Sequence, residues 1–180
     1  MSGTITAPAL RHLTAADRGR IEEITRAVRV FRDDEVPVAL EVFDAAVAEV
    51  GADAEVGADA DVGADAVRPY VAMGAEMDGR LVGWICWGPT PCTLGTFDLY
   101  WMAVDPAVHT AGIGTALMRE MEGRLAGSAR LIVVETAGRP DYRPTCAFYE
   151  ARGYRRAAVI PDFYAPGDDQ VVYVKTLTTG

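Results

Sequence analysis

Two glycines, Gly112 and Gly114, stand at the start of what reads as a helix, in the stretch WMAVDPAVHTAGIGTALM from Trp101 to Met118. The first charge of that helix is Arg119, so its opening turn carries no acid of its own. Unpaired N–H groups and the positive end of the dipole make such a turn receptive to an anion, and glycine lets a ligand come close to the backbone. A pyrophosphate fits that description. A tight turn that needs glycine fits the spacing equally well. The stretch is neither a dinucleotide fingerprint nor a P-loop. Leu117 occupies the third glycine position, DPAVHTA separates strand from glycines, and no Gly-Lys-Ser/Thr is present.

Two acids could move a proton. Asp98 lies between Phe97 and Leu99 in TFDLYWMAV, an unusual place for a charge inside a strand. By a period of two, Asp98, Tyr100, Met102 and Val104 share one strand face unless a bulge intervenes. Glu135, at the end of RLIVVET, is the second candidate. Either acid suits a general base, and either suits an ordinary ion pair. His12 and His109 form no cluster, and no Ser-His-Asp arrangement is suggested. Cys86, Cys92 and Cys146 are odd in number and lack a C-x-x-C, so neither a disulfide framework nor a metal site is indicated.

The elements that must position these residues read as a mixed α/β chain. ALRHLT is a short strand, and Thr14 to Asp17 resembles a capping box opening a helix through about Val28. Residues Asp34 to Glu49 carry helical apolar spacing. Asp78-Gly79 joins two strands as a hairpin, and TFDLYWMAV is a third. Gly112 to about Ala126 is a helix with Ile113, Ala116, Leu117, Met121 and Leu125 on one stripe. RLIVVET is a central strand, PTCAFYEARG a short helix closed by Gly153, and YRRAAVI and QVVYVKTL the last strands. IPDFYAPGDD reads as the connection between those two. Hairpins mixed with strand-helix-strand passages require a mixed sheet.

The chain has 180 residues, half of them apolar, which suits a single domain spanning 1–180. The repeat VGADAE, VGADAD, VGADAV, at about 50–66, reads as an acidic low-complexity insertion without the calcium-loop pattern. It holds five of the acids behind the net charge of −9 (Asp53, Glu55, Asp59, Asp61 and Asp65). An acidic chain without a basic stripe disfavours nucleic acid and is compatible with a cationic substrate. No secretory signal or membrane-spanning run is visible, so a soluble, cytoplasmic protein is expected.

At AVDPAVHTAGIGTALM and CAFYEARGY the chain resembles the GNAT superfamily of N-acetyltransferases. The resemblance covers roughly Tyr70 to Tyr173, in the family's element order. It implies an α/β (α+β) fold with a central mixed, twisted sheet of about seven strands flanked by about four helices. It implies acetyl-CoA as co-substrate, no metal, and a primary amine of a small molecule or peptide as acceptor, with a homodimer as an option. The alternatives are another acyl-CoA donor or a non-catalytic acyl-CoA sensor. The resemblance puts a splayed opening beside Trp101–Val104. The Met102 N–H would polarise the thioester carbonyl there, and Ala103 and Val104 would hold the pantetheine arm. His109, Thr110 and Ala111 in the loop, then Gly112, Ile113, Gly114 and Thr115, would take the pyrophosphate. Tyr149 would protonate the departing thiolate, and Asp98 aligns with a catalytic glutamate of histone-acetylating members. The loop departs from the family in its cations: His109 replaces the usual Gln or Arg, and Thr110 and Ala111 replace common basic residues. Tyr142 stands where many members have Asn.

Overall fold

Hairpins build one half of the sheet. In the computed structural model, which describes residues 7–48 and 69–177, β1 (Ala9–His12), β2 (Val71–Met77), β3 (Arg80–Pro89) and β4 (Thr96–Val104) are successive antiparallel neighbours. The β2–β3 hairpin turns on Asp78 and Gly79, at φ 51° and 74°, the paired positive φ that matches strand twist. With β5 (Leu131–Ala137), β6 (Arg155–Ala165) and β7 (Asp168–Thr176) the sheet has seven strands in the order β1-β2-β3-β4-β5-β7-β6. The acidic repeat at about 50–66 lies outside the described residues.

One pair in this sheet is parallel. β4 and β5 pair from Thr96–Leu131 to Leu99–Val134 and no further. Beyond that point β4 keeps β3 on one edge, β5 keeps β7 on the other, and the two strands part. The crossover between them is α3 (Ile113–Leu125), because parallel neighbours cannot be joined by a tight turn.

Each face of the sheet has its own core. α1 (Arg18–Ala27) and α2 (Glu35–Ala48) bury Ile21, Ile24 and Phe43 against Trp84, whose indole N–H donates to Thr25 Oγ1 at 3.2 Å. On the other face α3 and α4 (Arg143–Glu150) bury Ile113, Leu117, Met121 and Tyr149 against Trp87, Ile132, Val134 and Tyr173. Each fully buried large apolar side chain contributes about 1.5–3 kcal/mol. Met118 is also fully buried on α3, whereas Ala116 of the expected stripe is only partly so.

Three sequence expectations change. Thr14 and Asp17 do form a reciprocal capping box, but it opens a 3-10 turn (Ala15–Asp17), and α1 starts at Arg18. Residues Pro161 to Ala165 continue β6, leaving Pro166-Gly167 as the turn to β7. The third change bears on the site. Cys86 pairs with Trp101 and Trp87 with Leu99, so Tyr100 is an extra residue, a β-bulge. The bulge reverses the alternation. Phe97, Leu99, Met102 and Val104 all pack on the α3/α4 face, while Trp101 and Ala103 pack on the α1/α2 face. Asp98 therefore faces away from Met102 and Val104, and the single shared face expected from period two is corrected.

Candidate active site

A cavity of about 580 Å³ opens where β4 and β5 separate. Its wall draws on both faces of the sheet: Met102, Val104, Gly114, Phe148 and Tyr149 on the α3/α4 side, and Phe31, Glu35, Asp98, Glu135 and Tyr164 on the other. A passage through a sheet exists here because strand pairing stops while both flanking cores continue.

The mouth of α3 is shaped by its two glycines in different ways. Gly112 adopts φ 73°, ψ 13°, the left-handed region, and caps α3. Gly114 is helical, but a Cβ there would lie 3.1 Å from the Phe148 ring. One glycine is required by the backbone and the other by a neighbour. The first turn of α3 contains no acid, so the N–H groups at its start remain receptive to an anion. His109, Thr110 and Ala111 belong to the 3-10 turn Pro106–Ala111 that leads into Gly112. Asp105 holds the start of that turn. Its carboxylate accepts from the Ala107 N–H at 3.0 Å and pairs with Arg20 of α1. The Ala107 bond first, and then Arg20, hold this carboxyl below the usual range.

Sequence reasoning overlooked Arg152, in the turn after α4. Its guanidinium stacks 3.3 Å from the Phe148 ring centroid and donates to the Phe148 carbonyl at 2.7 Å and to Thr115 Oγ1 in the first turn of α3. Its Nε is buried without a hydrogen-bond partner, and no carboxylate pairs with it among the described residues. Burial, then the charge of Arg119, push its pKa down. A cation lacking a counter-ion thus stands beside a helix start lacking one. The motif CAFYEARGY contains Arg152, but its reach to Thr115 depends on how α4 stacks on α3, which no local pattern encodes.

The two acids converge on the opposite side of the passage. Asp98 accepts from Thr90 Oγ1 at 2.8 Å, and Glu135 accepts from Gln170 Nε2 at 2.8 Å. Burial pushes the Asp98 carboxyl up against the opposing Thr90 bond. Burial, then the Asp98 charge, push Glu135 up. Both carboxyls are thereby made better proton acceptors than free ones. In the parallel register Asp98 lies level with Val133, so Glu135 stands closer to the point where the strands part.

Tyr149 is 5% exposed and reaches the cavity from α4. Its ring packs against Phe148, Tyr154 and Tyr173, with centroids 5.5, 5.8 and 5.9 Å away. Burial pushes its hydroxyl well above the ordinary tyrosine range, so the proton a tyrosine already holds at neutral pH is held more tightly. Cys146, one turn earlier, packs against the same core. Tyr142 and Arg139 close the far wall. The Tyr142 hydroxyl donates to the Val30 carbonyl at 3.2 Å. Arg139 lies 4.8 Å over the Tyr142 ring, donates to Asp168 at 3.0 Å and also binds the Val30 carbonyl. These contacts pin the α1–α2 connection over the cavity.

Residues 68–156 match the family model described as an acetyltransferase (GNAT) domain. An S-(2-succino)cysteine N-acetyltransferase of Bacillus subtilis is 32% identical over 87 residues, 46% of this chain and 53% of that protein. An L-2,4-diaminobutyric acid acetyltransferase of Nocardia farcinica is 32% identical over 111 residues, 56% of this chain and 57% of that protein. The chain spans little more than half the length of these curated relatives. The crystal structure of a GNAT-family protein from Desulfovibrio desulfuricans superposes with a TM-score of 0.80 at 32% identity, covering 96% of this chain and all of that one.

Proposed function

The chain belongs to the GNAT family of acetyltransferases, and on that premise we propose that it moves an acetyl group from acetyl-CoA to a primary amine by direct attack in a ternary complex. The observation that carries this reading is the passage through the sheet. At one end lies a helix start with no counter-anion and an unpaired cation, and at the other two carboxylates with raised proton affinity. That donor set fits a polyanionic coenzyme on the α3/α4 face and an ammonium on the other. The two curated relatives are both named for acetylating amino compounds.

When bound, acetyl-CoA supplies an acyl group activated as a thioester. The N–H groups from Gly112 to Thr115 and the Arg152 guanidinium hold its phosphates. Backbone at Met102 to Val104 orients the arm, and the Met102 N–H polarises the carbonyl. Glu135, the acid closer to the strand divergence, takes the proton of the incoming ammonium, and Asp98 supports it through water. Tyr149, protonated at neutral pH as tyrosines are, gives its proton to the sulfur as it leaves. The three cysteines are free thiols, which supports a cytoplasmic setting.

A panel of amines with thiol release as readout tests the reading. Amine-dependent release of coenzyme A and an acetylated product in mass spectrometry are expected. Tight acetyl-CoA binding with no amine consumed would replace the transferase with a binding module.

A further inference from the structure

The charge on the cavity wall is one-sided. Glu35, Asp98 and Glu135 line it, and no Lys, Arg or His does among the described residues. Chemistry on one amine needs one base, so the site holds more negative charge than the reaction uses. None of the three accepts a hydrogen bond from a cationic side chain among the described residues. Asp98 and Glu135 accept from the neutral donors Thr90 and Gln170. Glu35 accepts from the Arg32 N–H at 2.6 Å, whereas the Arg32 guanidinium lies 3.9 Å off and is shared with Asp34 at 3.3 Å. The cation behind the wall, Arg139, feels the Glu35 charge, but its hydrogen bonds go to Asp168 and the Val30 carbonyl. Partly desolvated carboxylates without a close counter-charge, as Asp98 and Glu135 are, are costly, and a cationic ligand removes that cost.

The apolar part of the wall suits the same ligand. Phe31 and Trp101 pack together with centroids 5.1 Å apart, and Tyr142 and Tyr164 complete an aromatic surround. Aromatic faces attract ammonium groups and tolerate methylene chains. Glu35 opens α2, far in sequence from Asp98 and Glu135, and its charge is felt by both Tyr142 and Tyr164. The acids are therefore spread over the wall rather than gathered at one point.

We infer that the acceptor carries a second, remote ammonium and no carboxylate: it belongs to the class of alkyl diamines and polyamines. The reacting amine meets Glu135 and Asp98, and the distal ammonium meets Glu35 within the aromatic wall. The position of the reacting end rests on the transferase reading above. An acceptor bearing a carboxylate would bring a fourth negative charge into the cavity.

Three probes separate the terms: cadaverine, pentylamine, which lacks the distal ammonium, and lysine, which adds a carboxylate to the cadaverine skeleton. Each is titrated by calorimetry into the protein saturated with coenzyme A, so that no turnover interferes. Cadaverine is expected to bind about tenfold tighter than either of the others. Glu35→Gln should bring cadaverine to within about threefold of pentylamine. Because Glu35 also ties the start of α2 to the Arg32 N–H, circular dichroism confirms the fold, and Glu135→Gln serves as a second variant expected to weaken cadaverine. Equal or tighter binding of lysine or pentylamine, or no binding of cadaverine, overturns the inference. Acetyl transfer is followed separately. Its absence with every amine would count against the transferase reading, while the order of binding would still decide which class of cation the cavity takes.

Discussion

Replacing Tyr149 by Phe removes one oxygen and leaves the ring. That ring is 5% exposed and held by three aromatic neighbours 5.5 to 5.9 Å away, all of which Phe can keep. The hydroxyl has no hydrogen-bond partner among the described residues, and the residue borders the cavity. Its loss should therefore change stability by less than about 1 kcal/mol, a shift of about 2–4 °C at most in a chain of this size. If the hydroxyl protonates the leaving sulfur, kcat falls about 10²-fold, equivalent to about 2.7 kcal/mol of barrier. KM for acetyl-CoA should stay within about twofold, because the lost interaction belongs to the transition state. Thiol release at saturating amine, beside a thermal melt, reads both quantities. Retention of kcat within twofold refutes the acid role. A large drop in melting temperature together with kcat would mean that the tyrosine acts through packing.

Glu135→Gln should lose turnover most at low pH, where the acceptor is ammonium, and regain part of it as pH rises. Asp98→Asn should show a smaller loss of the same form, and the reverse order would move the base to Asp98. Both carboxyl pKa values are raised in the folded state, so their ionisation at neutral pH opposes folding, and the cost vanishes below the unfolded value of about 4. Each amide variant should thus melt no lower than the parent at pH 7, with the difference fading at pH 4. Arg152→Gln should weaken acetyl-CoA about tenfold in calorimetry and flatten the salt dependence of binding, with little effect on kcat; unchanged affinity would remove Arg152 from the phosphate site. Gly88→Ala should lower the melting temperature strongly, since its Cβ would meet the Pro69 carbonyl oxygen at 2.0 Å.

The element order could be read from the sequence because its punctuation is local: Asp78-Gly79 for a hairpin, Gly153 for a helix end, and an acid-free first turn after Gly112. The seven strands and the motif-bearing helices follow those signals. What escaped is non-local. The bulge at Tyr100 arises from how β3 and β4 pair, and nothing in TFDLYWMAV marks it, so a period of two alone sets Asp98 on the face of Met102 and Val104. Arg152 reaches the first turn of α3, and Glu35 the cavity, from distant segments. The role of Gly114 is set by the Phe148 ring, 34 positions on, and this makes Gly114→Asp a poor probe of phosphate binding.

The gap between β4 and β5 divides the residues around the cavity into two sets. Everything bordering the passage from α3 and α4 sits on one side of the sheet, and everything from the α1–α2 connection and from Tyr164 of β6 sits on the other. Changes at Phe31, Glu35 or Tyr164 meet no side chain that shapes the mouth of α3. Under the proposed transferase reading, one acceptor is exchanged for another by rewriting a connection and a strand end, with the coenzyme side at the mouth of α3 left untouched.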